Sequence, residues 1–343
     1  MTIVDSHTHV GNIKKDFEPV FSLAKKLNYE KFTVMSLQCA GRLVQNTACA
    51  YCKSLGPDAV YAFGGLDYLT GRDLAEQAEN LRESGFDGVK MLEGKPTTRR
   101  LLGYALDDTM YDGFFSYLEE TNFPVLFHIA DPPEFWDTAK APDWAVERGW
   151  CYDENDVPYE RYYEEIERML TKHPKLKAIF AHFYFLSGEP ERAQRFLDDH
   201  PKVSLDITAG IEMYENFSKD PGFWREFFIK NSERIIFGTD SSDDDAEEDD
   251  GKVNLSGYAG MEIDFIKFGG DLTIYGKKLR GLGLPEEAQA KIFAENFYKY
   301  VGREPKKLNT PAILKEAEFI RGFLKDDGDI SDLEYIVSRL KNN

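Results

Sequence analysis

The sequence predicts a closed (β/α)8 barrel of the TIM type with a C-terminal helical extension, and three observations support this fold class. Short β-rich runs alternate with amphipathic helical segments from the first residue to about residue 300. Eight such units occur in the chain, and strands separated by helices of this length imply right-handed crossovers and a parallel sheet. The chain has 343 residues and is 42% hydrophobic, which is enough for the core of one barrel.

The predicted strands are short apolar runs bounded by turn residues, at 3–7, 32–37, 60–64, 88–92, 125–129, 178–182, 203–207 and 235–239. The helical patterns between them lie near residues 17–28, 42–55, 70–84, 110–121, 157–172, 189–199 and 219–231. Two of these helices run into His173-Pro174 and His200-Pro201, where proline prevents continuation.

Three segments depart from the simple repeat. Residues 131–156, called the cover segment below, follow the fifth strand and are rich in proline and tryptophan, which is typical of a lid or pocket wall. Residues 240–257 are expected to form an acidic loop, and the chain from about residue 260 is predicted to be helical. We therefore predict one barrel domain over residues 1–302, followed by a helical extension over 303–343 that packs on it.

The charge and composition exclude several classes of partner. The net charge is −19, and seven acidic residues fall between Asp243 and Asp250, which argues against nucleic acid and anionic membranes. No apolar window approaches the roughly 20 residues that a membrane span needs, and no secretory signal is recognisable. Four cysteines in so long a chain are typical of a reducing compartment, so we expect a cytoplasmic protein.

Four of the six histidines fall at the ends of predicted strands: His7, His9, His128 and His182. His7 and His9 are two residues apart on strand one, so their imidazoles share a face and can bind one ion. The others end strands five and six, at the rim where barrel enzymes carry their chemistry. The pattern predicts a metal centre at that rim.

Two further strand residues carry chemistry. Asp240 ends strand eight, beside strand one in a closed barrel, and its carboxylate can bind the ion, accept a proton, or do both. Lys90 lies inside apolar strand four, where an unpaired ammonium is costly. An ion pair or a substrate contact is favoured there over a carbamate that bridges two metals. Asp206 and Asp5 are predicted to hold the neighbouring ligands in place.

With His7-Thr8-His9, Gly88-Val89-Lys90, His128, Phe180-Ala181-His182 and Phe237-Gly238-Thr239-Asp240 in this order, the chain resembles the amidohydrolase superfamily over roughly residues 1–302. Within it the chain is similar to the amidohydrolase 2 branch of metal-dependent hydrolases and aminocarboxymuconate-semialdehyde-type decarboxylases. The resemblance implies that His7, His9, His128 and Asp240 bind one divalent ion, usually zinc, with manganese as the alternative. His182 would polarise the substrate, or bind a second metal together with Lys90.

Two departures from the pattern of that branch leave the substrate class open. Ser241-Ser242-Asp243 stands where decarboxylase-like members often have an aromatic residue and a proline. Phe183-Tyr184-Phe185 follows the strand-six histidine in place of a small glycine-containing turn.

The preferred hypothesis is hydrolysis of an ester, lactone or amide of a small molecule, with Asp240 and His182 as catalytic residues. The alternative is non-oxidative decarboxylation of an unsaturated or aromatic acid, whose carboxylate Lys90, Arg99 and Arg100 would bind. In either case Trp136 would line the pocket. A non-catalytic metal-binding scaffold is the least favoured hypothesis, and a homodimer is expected from similar chains.

Overall fold

The structure, a computed structural model, describes residues 1–11, 13–39, 41–208, 210–242, 255–274 and 276–342. Nine parallel strands form one curled sheet in the order β8-β7-β6-β5-β4-β3-β2-β1-β9. Their bounds are β1 Val4–His9, β2 Lys31–Met35, β3 Val60–Gly64, β4 Gly88–Gly94, β5 Val125–Ile129, β6 Ala178–Phe180, β7 Val203–Asp206, β8 Ile235–Ile236 and β9 Ser241–Ser242. The acidic loop expected over residues 240–257 is shorter, since Ser241–Ser242 form β9 and Leu255 begins a helix. The acidic run from Asp243 to Asp250 lies outside the described residues, so the expectation about it remains a prediction.

Residues 235–242 act as the eighth strand and close the barrel. Its first half, β8, pairs with β7, and its second half, β9, pairs with β1. Between the two halves, Ser6 N donates to Phe237 O at 3.2 Å, and Asp240 N donates to His7 O at 2.8 Å. The predicted (β/α)8 fold is therefore confirmed, and closure brings Asp240 beside His7 as the sequence suggested.

The helices surround the sheet, and most follow the predicted pattern. Their bounds are α1 Glu18–Lys26, α2 Gln45–Leu55, α3 Leu74–Glu83, α4 Pro96–Leu102, α5 Asp112–Thr121, α6 Asp143–Glu147, α7 Tyr159–Lys172, α8 Pro190–Asp199, α9 Ile211–Lys219, α10 Pro221–Lys230, α11 Leu255–Lys267, α12 Glu286–Ala290, α13 Asn296–Val301, α14 Thr310–Arg321 and α15 Asp327–Asn342. A π-helical turn, Lys291–Glu295, joins α12 to α13. None of the helices described is long and apolar enough to cross a membrane.

One segment differs from the prediction of continuous helix beyond residue 260. Strands β10 (Gly269–Ile274) and β11 (Lys277–Leu282) pair in antiparallel fashion and pack on α9, α10 and α11. The glycines and the alternation of polar with apolar residues in this stretch suit a two-stranded ribbon with one face buried. In β11, Leu279 and Leu282 are buried, whereas Lys278 and Arg280 on either side of Leu279 are exposed.

The interior of the barrel is filled by side chains from alternate strand positions, and α13 closes its amino-terminal end. Phe297 of α13 packs against Tyr61 and Phe63, with ring centroids 5.5 and 6.1 Å apart. Leu126 and Ile236 belong to the same buried cluster. Because apolar side chains fill this end of the barrel, the polar side chains that can bind ligands lie at the opposite, carboxyl-terminal end.

The C-terminal helices pack on the outside of the barrel. α15 lies against α2, and α14 contacts both α2 and α15. Arg72 pairs with Glu316 of α14 through two nitrogens, each at 2.7 Å. Arg339 of α15 donates to Asp16 at 2.7 Å.

Candidate metal centre

Three side chains converge at the carboxyl-terminal rim of the barrel, and they are the residues that the sequence placed on strands one and eight. Asp240 Oδ1 lies 3.0 Å from His9 Nε2 and 3.4 Å from His7 Nε2. Within the part of the chain that the structure describes, His7, His9 and Asp240 are the only group of three metal-binding side chains whose ligand atoms approach one another this closely.

Both histidines are oriented by a contact at their other ring nitrogen. His7 Nδ1 donates to Asp206 Oδ2 at 3.1 Å, and His9 Nδ1 donates to Met35 O at 2.9 Å. These acceptors hold the ring protons on Nδ1 and leave the Nε2 lone pairs to face Asp240; that of His7 also faces Lys90 Nζ at 3.0 Å. Burial lowers the pKa of His7 to about 4, so its imidazole is neutral and able to bind a metal at neutral pH.

The three side chains fit one divalent ion. Ligands about 2.0–2.1 Å from a tetrahedral ion are separated by about 3.3 Å, close to the distances that join Asp240 to the two imidazoles. The nearby imidazoles hold the pKa of Asp240 well below its usual range, against the effect of burial, so the carboxylate is ionised. Three protein ligands and an open position are typical of a catalytic zinc site.

The backbone around Asp240 explains how it reaches this position. Asp240 adopts a φ of 53°, a left-handed conformation that aspartate tolerates better than most residues. Two residues earlier, the absence of a side chain at Gly238 lets the strand approach β1 and β7. A Cβ at Gly238 would lie 3.0 Å from His7 Cβ and 2.7 Å from Thr208 Cγ2.

Asp5 supports the same region through the backbone. Its carboxylate accepts hydrogen bonds from the amides of His7 and Thr239, at 3.2 and 3.1 Å, and from the Thr239 hydroxyl at 2.6 Å. Asp5 therefore joins β1 to the strand that carries Asp240. Burial raises the pKa of Asp5 to about 7.

His182 lies beyond β6, in a turn with an unusual backbone. Residues 182–185 have φ values of 58°, 54°, 55° and 51°, and no glycine is among them. A left-handed turn of this kind costs about 1–2 kcal/mol per residue, so surrounding contacts must stabilise it. The ring of Phe183 stacks on Phe228, and Tyr163 donates to the carbonyl of Tyr184 at 3.1 Å.

The same turn directs His182 toward the centre. Its amide donates to Asp206 Oδ1 at 2.8 Å, and its Nδ1 lies 3.1 Å from the hydroxyl of Thr208. Asp206 thus contacts both His182 and His7, whose ring centroids are 5.9 Å apart. The sequence predicted Asp206 as a partner of His182 or Lys90, and the contact with His182 is present.

His128 lies at the rim, as predicted, but outside the group of three. Its Nε2 donates to Asp131 Oδ1 at 3.2 Å, and its Nδ1 is 3.1 Å from His182 Nε2. His128 is not in the close group of His7, His9 and Asp240. Its role as the fourth ligand stays a prediction.

Lys90 is buried in the centre itself. Its Nζ lies 3.0 Å from His7 Nε2, and only 2% of the residue is exposed. Burial lowers the pKa of Lys90 to about 8. The sequence favoured an ion pair or a substrate contact for Lys90; in the structure its ammonium contacts the imidazole of His7, and its role stays a prediction.

The other proposed substrate-binding residues are engaged elsewhere. Arg99 donates to Glu165 at 3.1 Å, and Arg100 pairs with Asp156 at 2.9 Å through both Nε and Nη2. Trp136 donates its indole N–H to Val157 O at 3.0 Å. The structure joins both arginines to carboxylates and does not place them in the histidine cluster.

Three residues of the rim were missed by sequence reasoning: Asp131, Lys95 and Tyr152. Lys95 Nζ donates to Asp131 Oδ1 at 2.8 Å, and the Tyr152 hydroxyl donates to Asp131 Oδ2. Asp131 follows β5 and Lys95 follows β4, so position at a strand end was a signal for both. Tyr152 lies within the cover segment and carried no such signal.

Comparison with known proteins gives a family match. A family model described as Amidohydrolase matches residues 5–302. No curated protein matches the chain.

Solved structures share the fold at low sequence identity. The 4-oxalomesaconate hydratase of Rhodopseudomonas palustris is 14% identical, with a TM-score of 0.55 over 95% of this chain and 100% of that one. The 2,6-dihydroxybenzoate decarboxylase from Rhizobium is 14% identical, with a TM-score of 0.53 over 88% and 98%. A manganese-bound dihydroxybenzoic acid decarboxylase from a Polaromonas species is 13% identical, with a TM-score of 0.51 over 88% and 96%.

Proposed function

Because the chain belongs to the amidohydrolase family, we propose that it is a metal-dependent hydrolase of a small-molecule ester, lactone or amide. The observation that carries the proposal is the convergence of His7 Nε2, His9 Nε2 and Asp240 Oδ1 at separations that suit one ion. Zinc suits two imidazoles and one carboxylate, and manganese, present in one similar structure, is the alternative.

The residues of the site divide the work of hydrolysis. A divalent ion bound there supplies a Lewis acid and lowers the pKa of a water molecule toward neutrality. Asp240 accepts the proton of the attacking water and returns it to the leaving group as the bond to the carbonyl carbon breaks. His182 stabilises the negative charge that develops on the carbonyl oxygen.

Lys90 adds a positive charge to the same site. Its ammonium lies against His7, buried from solvent, where electrostatic interactions are stronger than in water. We assign it to orienting the polar end of the substrate.

Decarboxylation remains the competing hypothesis, and the contacts of the arginines weigh against it. That chemistry needs cationic groups for the substrate carboxylate, and two of those named for it are already paired with Glu165 and Asp156. Lys90 alone of the three lies among the histidines.

The two reactions are distinguished by their products. The metal-loaded protein is assayed against a panel of lactones and aryl esters and against hydroxybenzoates, in water enriched in oxygen-18. We expect one labelled oxygen in the acid product of a lactone or ester. Release of carbon dioxide from a hydroxybenzoate, without incorporation of the label, would reject the hydrolase proposal.

A further inference from the structure

Phe185 is the last residue of the left-handed turn that begins at His182, and its aromatic ring contacts two histidines of the rim. The ring centroid of Phe185 lies 5.2 Å from that of His182, with the two planes tilted by 31°, and 5.7 Å from that of His128. Phe183 and Tyr184, the two residues before it, are buried, whereas Phe185 is only partly buried. Phe185 thus lies against the histidines and keeps part of its surface accessible.

The backbone at Phe185 is strained for a residue of this type. Its φ of 51° lies in the left-handed region, which a bulky side chain rarely adopts. Glycine adopts the same conformation without strain. Residues held in such a conformation are concentrated at functional sites, where surrounding contacts stabilise them. Local conformation alone therefore favours glycine at position 185, and the aromatic side chain must contribute through its contacts.

The ring of Phe185 gives an apolar surface to one side of a polar site. His7, His9 and Asp240 meet where β1 adjoins the eighth strand, whereas His182 and Phe185 follow β6. In the reaction proposed above, Asp240 returns a proton to the leaving group, so the leaving group lies on the β1 side. The acyl group of the substrate is then directed toward β6 and the ring of Phe185.

We propose that Phe185 is a specificity-determining residue, which selects substrates whose acyl group is planar and apolar, such as an unsaturated or aromatic ring. The proposal rests on the function proposed above and adds the chemical class of the acyl group. Aromatic rings attract one another in offset or edge-to-face geometry, beyond the contribution of the area they bury. A charged acyl group would lose water against this ring and gain no hydrogen bond from it.

The binding of two hydroxamates tests the proposal without any turnover. Benzohydroxamate and acetohydroxamate carry the same metal-binding group, and they differ in having a phenyl or a methyl group beside the carbonyl. Calorimetry on the zinc-loaded protein gives both dissociation constants for the wild type and for Phe185→Gly. We expect the wild type to bind benzohydroxamate about tenfold more tightly than acetohydroxamate. Phe185→Gly should lose most of this preference and bind acetohydroxamate within about twofold of the wild type.

Asn122→Gly is the matched control for the change in the backbone. Asn122 is exposed, has a φ of 52° and follows α5, just before the amino-terminal end of β5. The substitution therefore also places glycine in a left-handed position, but at the end of the barrel opposite the histidines. We expect Asn122→Gly to keep the preference of the wild type.

Phe185→Leu keeps an apolar side chain and removes the aromatic plane, so it is informative even if Phe185→Gly does not fold. We expect it to lower the preference for benzohydroxamate about threefold. An undiminished preference in folded Phe185→Gly or Phe185→Leu, or no preference in the wild type, would overturn the proposal.

The same experiment separates this proposal from the one on which it rests. Binding of neither hydroxamate to the wild type would reject the metal centre and the role of Phe185 together. If both probes bind with the expected preference but no ester, lactone or amide is turned over, the hydrolase proposal fails while the contact of Phe185 with planar apolar groups is supported.

Discussion

His7 and Asp206 are 199 residues apart in the chain, yet His7 Nδ1 donates to Asp206 Oδ2 at 3.1 Å in the wall of the barrel. The other oxygen of Asp206 accepts the amide of His182 at 2.8 Å. One carboxylate on β7 therefore fixes the tautomer of a candidate metal ligand and the position of a candidate catalytic histidine. Parallel strands make this possible because their carboxyl ends meet at one rim.

Asp240→Asn is expected to lower turnover by about 10²–10⁴-fold, because the amide cannot accept the proton of the attacking water. Asparagine tolerates the left-handed backbone at this position as well as aspartate does, so the fold should be retained. Steady-state kinetics and circular dichroism check the two statements. Near-normal turnover in the folded variant would remove Asp240 from the mechanism.

Lys90→Met is expected to bind one metal ion per chain, as the wild type does. The atoms that bind the ion belong to His7, His9 and Asp240. The ammonium of Lys90 contacts His7 and does not bind the ion. Metal analysis of both proteins, purified without chelator, gives the stoichiometry. Two ions in the wild type and one in the variant would show that Lys90 bridges a second metal.

Arg99→Met and Arg100→Met form a matched pair that tests the predicted substrate contacts. Arg99 pairs with Glu165, whose side chain is 1% exposed, whereas the side chain of Arg100 is 50% exposed. Removing Arg99 takes away one of two arginines that pair with the buried Glu165, the other being Arg161 at 3.3 Å, and should destabilise the fold by about 1.5–3 kcal/mol. Removing Arg100 should cost less than about 1 kcal/mol.

Chemical denaturation measures both free energies of unfolding, and KM measured alongside tests binding. We expect KM to be unchanged in Arg100→Met. A large rise in KM in that variant would restore this arginine as a contact for an anionic substrate.

Glu93→Gln is expected to stabilise the protein at pH 8 but not at pH 4. Burial raises the pKa of Glu93 from 4.5 to about 7, against the hydrogen bond from Tyr68. The folded state therefore binds the proton more tightly than the unfolded state does. The stability this provides is present below pH 4.5 and is lost as the pH rises to about 7.

Glutamine keeps the acceptor for Tyr68 and carries no charge, so the gain at pH 8 should be about 3 kcal/mol. Urea unfolding at the two pH values measures it, with the exposed acid Glu79→Gln as the control. An equal effect at both pH values would mean that ionisation of Glu93 is not the cause.

The sequence was sufficient for the barrel and for the proximity of three candidate metal ligands. Alternation of strand and helix patterns identified all eight units, since most strands are buried apolar runs and the helices between them are amphipathic. His7, His9 and Asp240 were found because strand ends in a closed barrel are neighbours. Proximity of this kind follows from topology alone.

Two kinds of feature could not be predicted from the sequence. They are the orientations of side chains and the backbone conformations that the residues concerned normally disfavour. The left-handed turn from His182 to Phe185 contains no glycine, so nothing in its composition indicated it. Likewise, the ring of His128 contacts Asp131, which accepts hydrogen bonds from Lys95 and Tyr152, and no local pattern links these residues along the chain. Long-range pairs such as Arg99 with Glu165 are equally invisible to periodicity.

Anomalous diffraction from crystals grown with zinc or manganese shows whether His7, His9 and Asp240 share one divalent ion. We expect a single peak about 2.0–2.2 Å from His7 Nε2, His9 Nε2 and an oxygen of Asp240. A peak bonded to His128 and His182 and out of reach of Asp240 would contradict it.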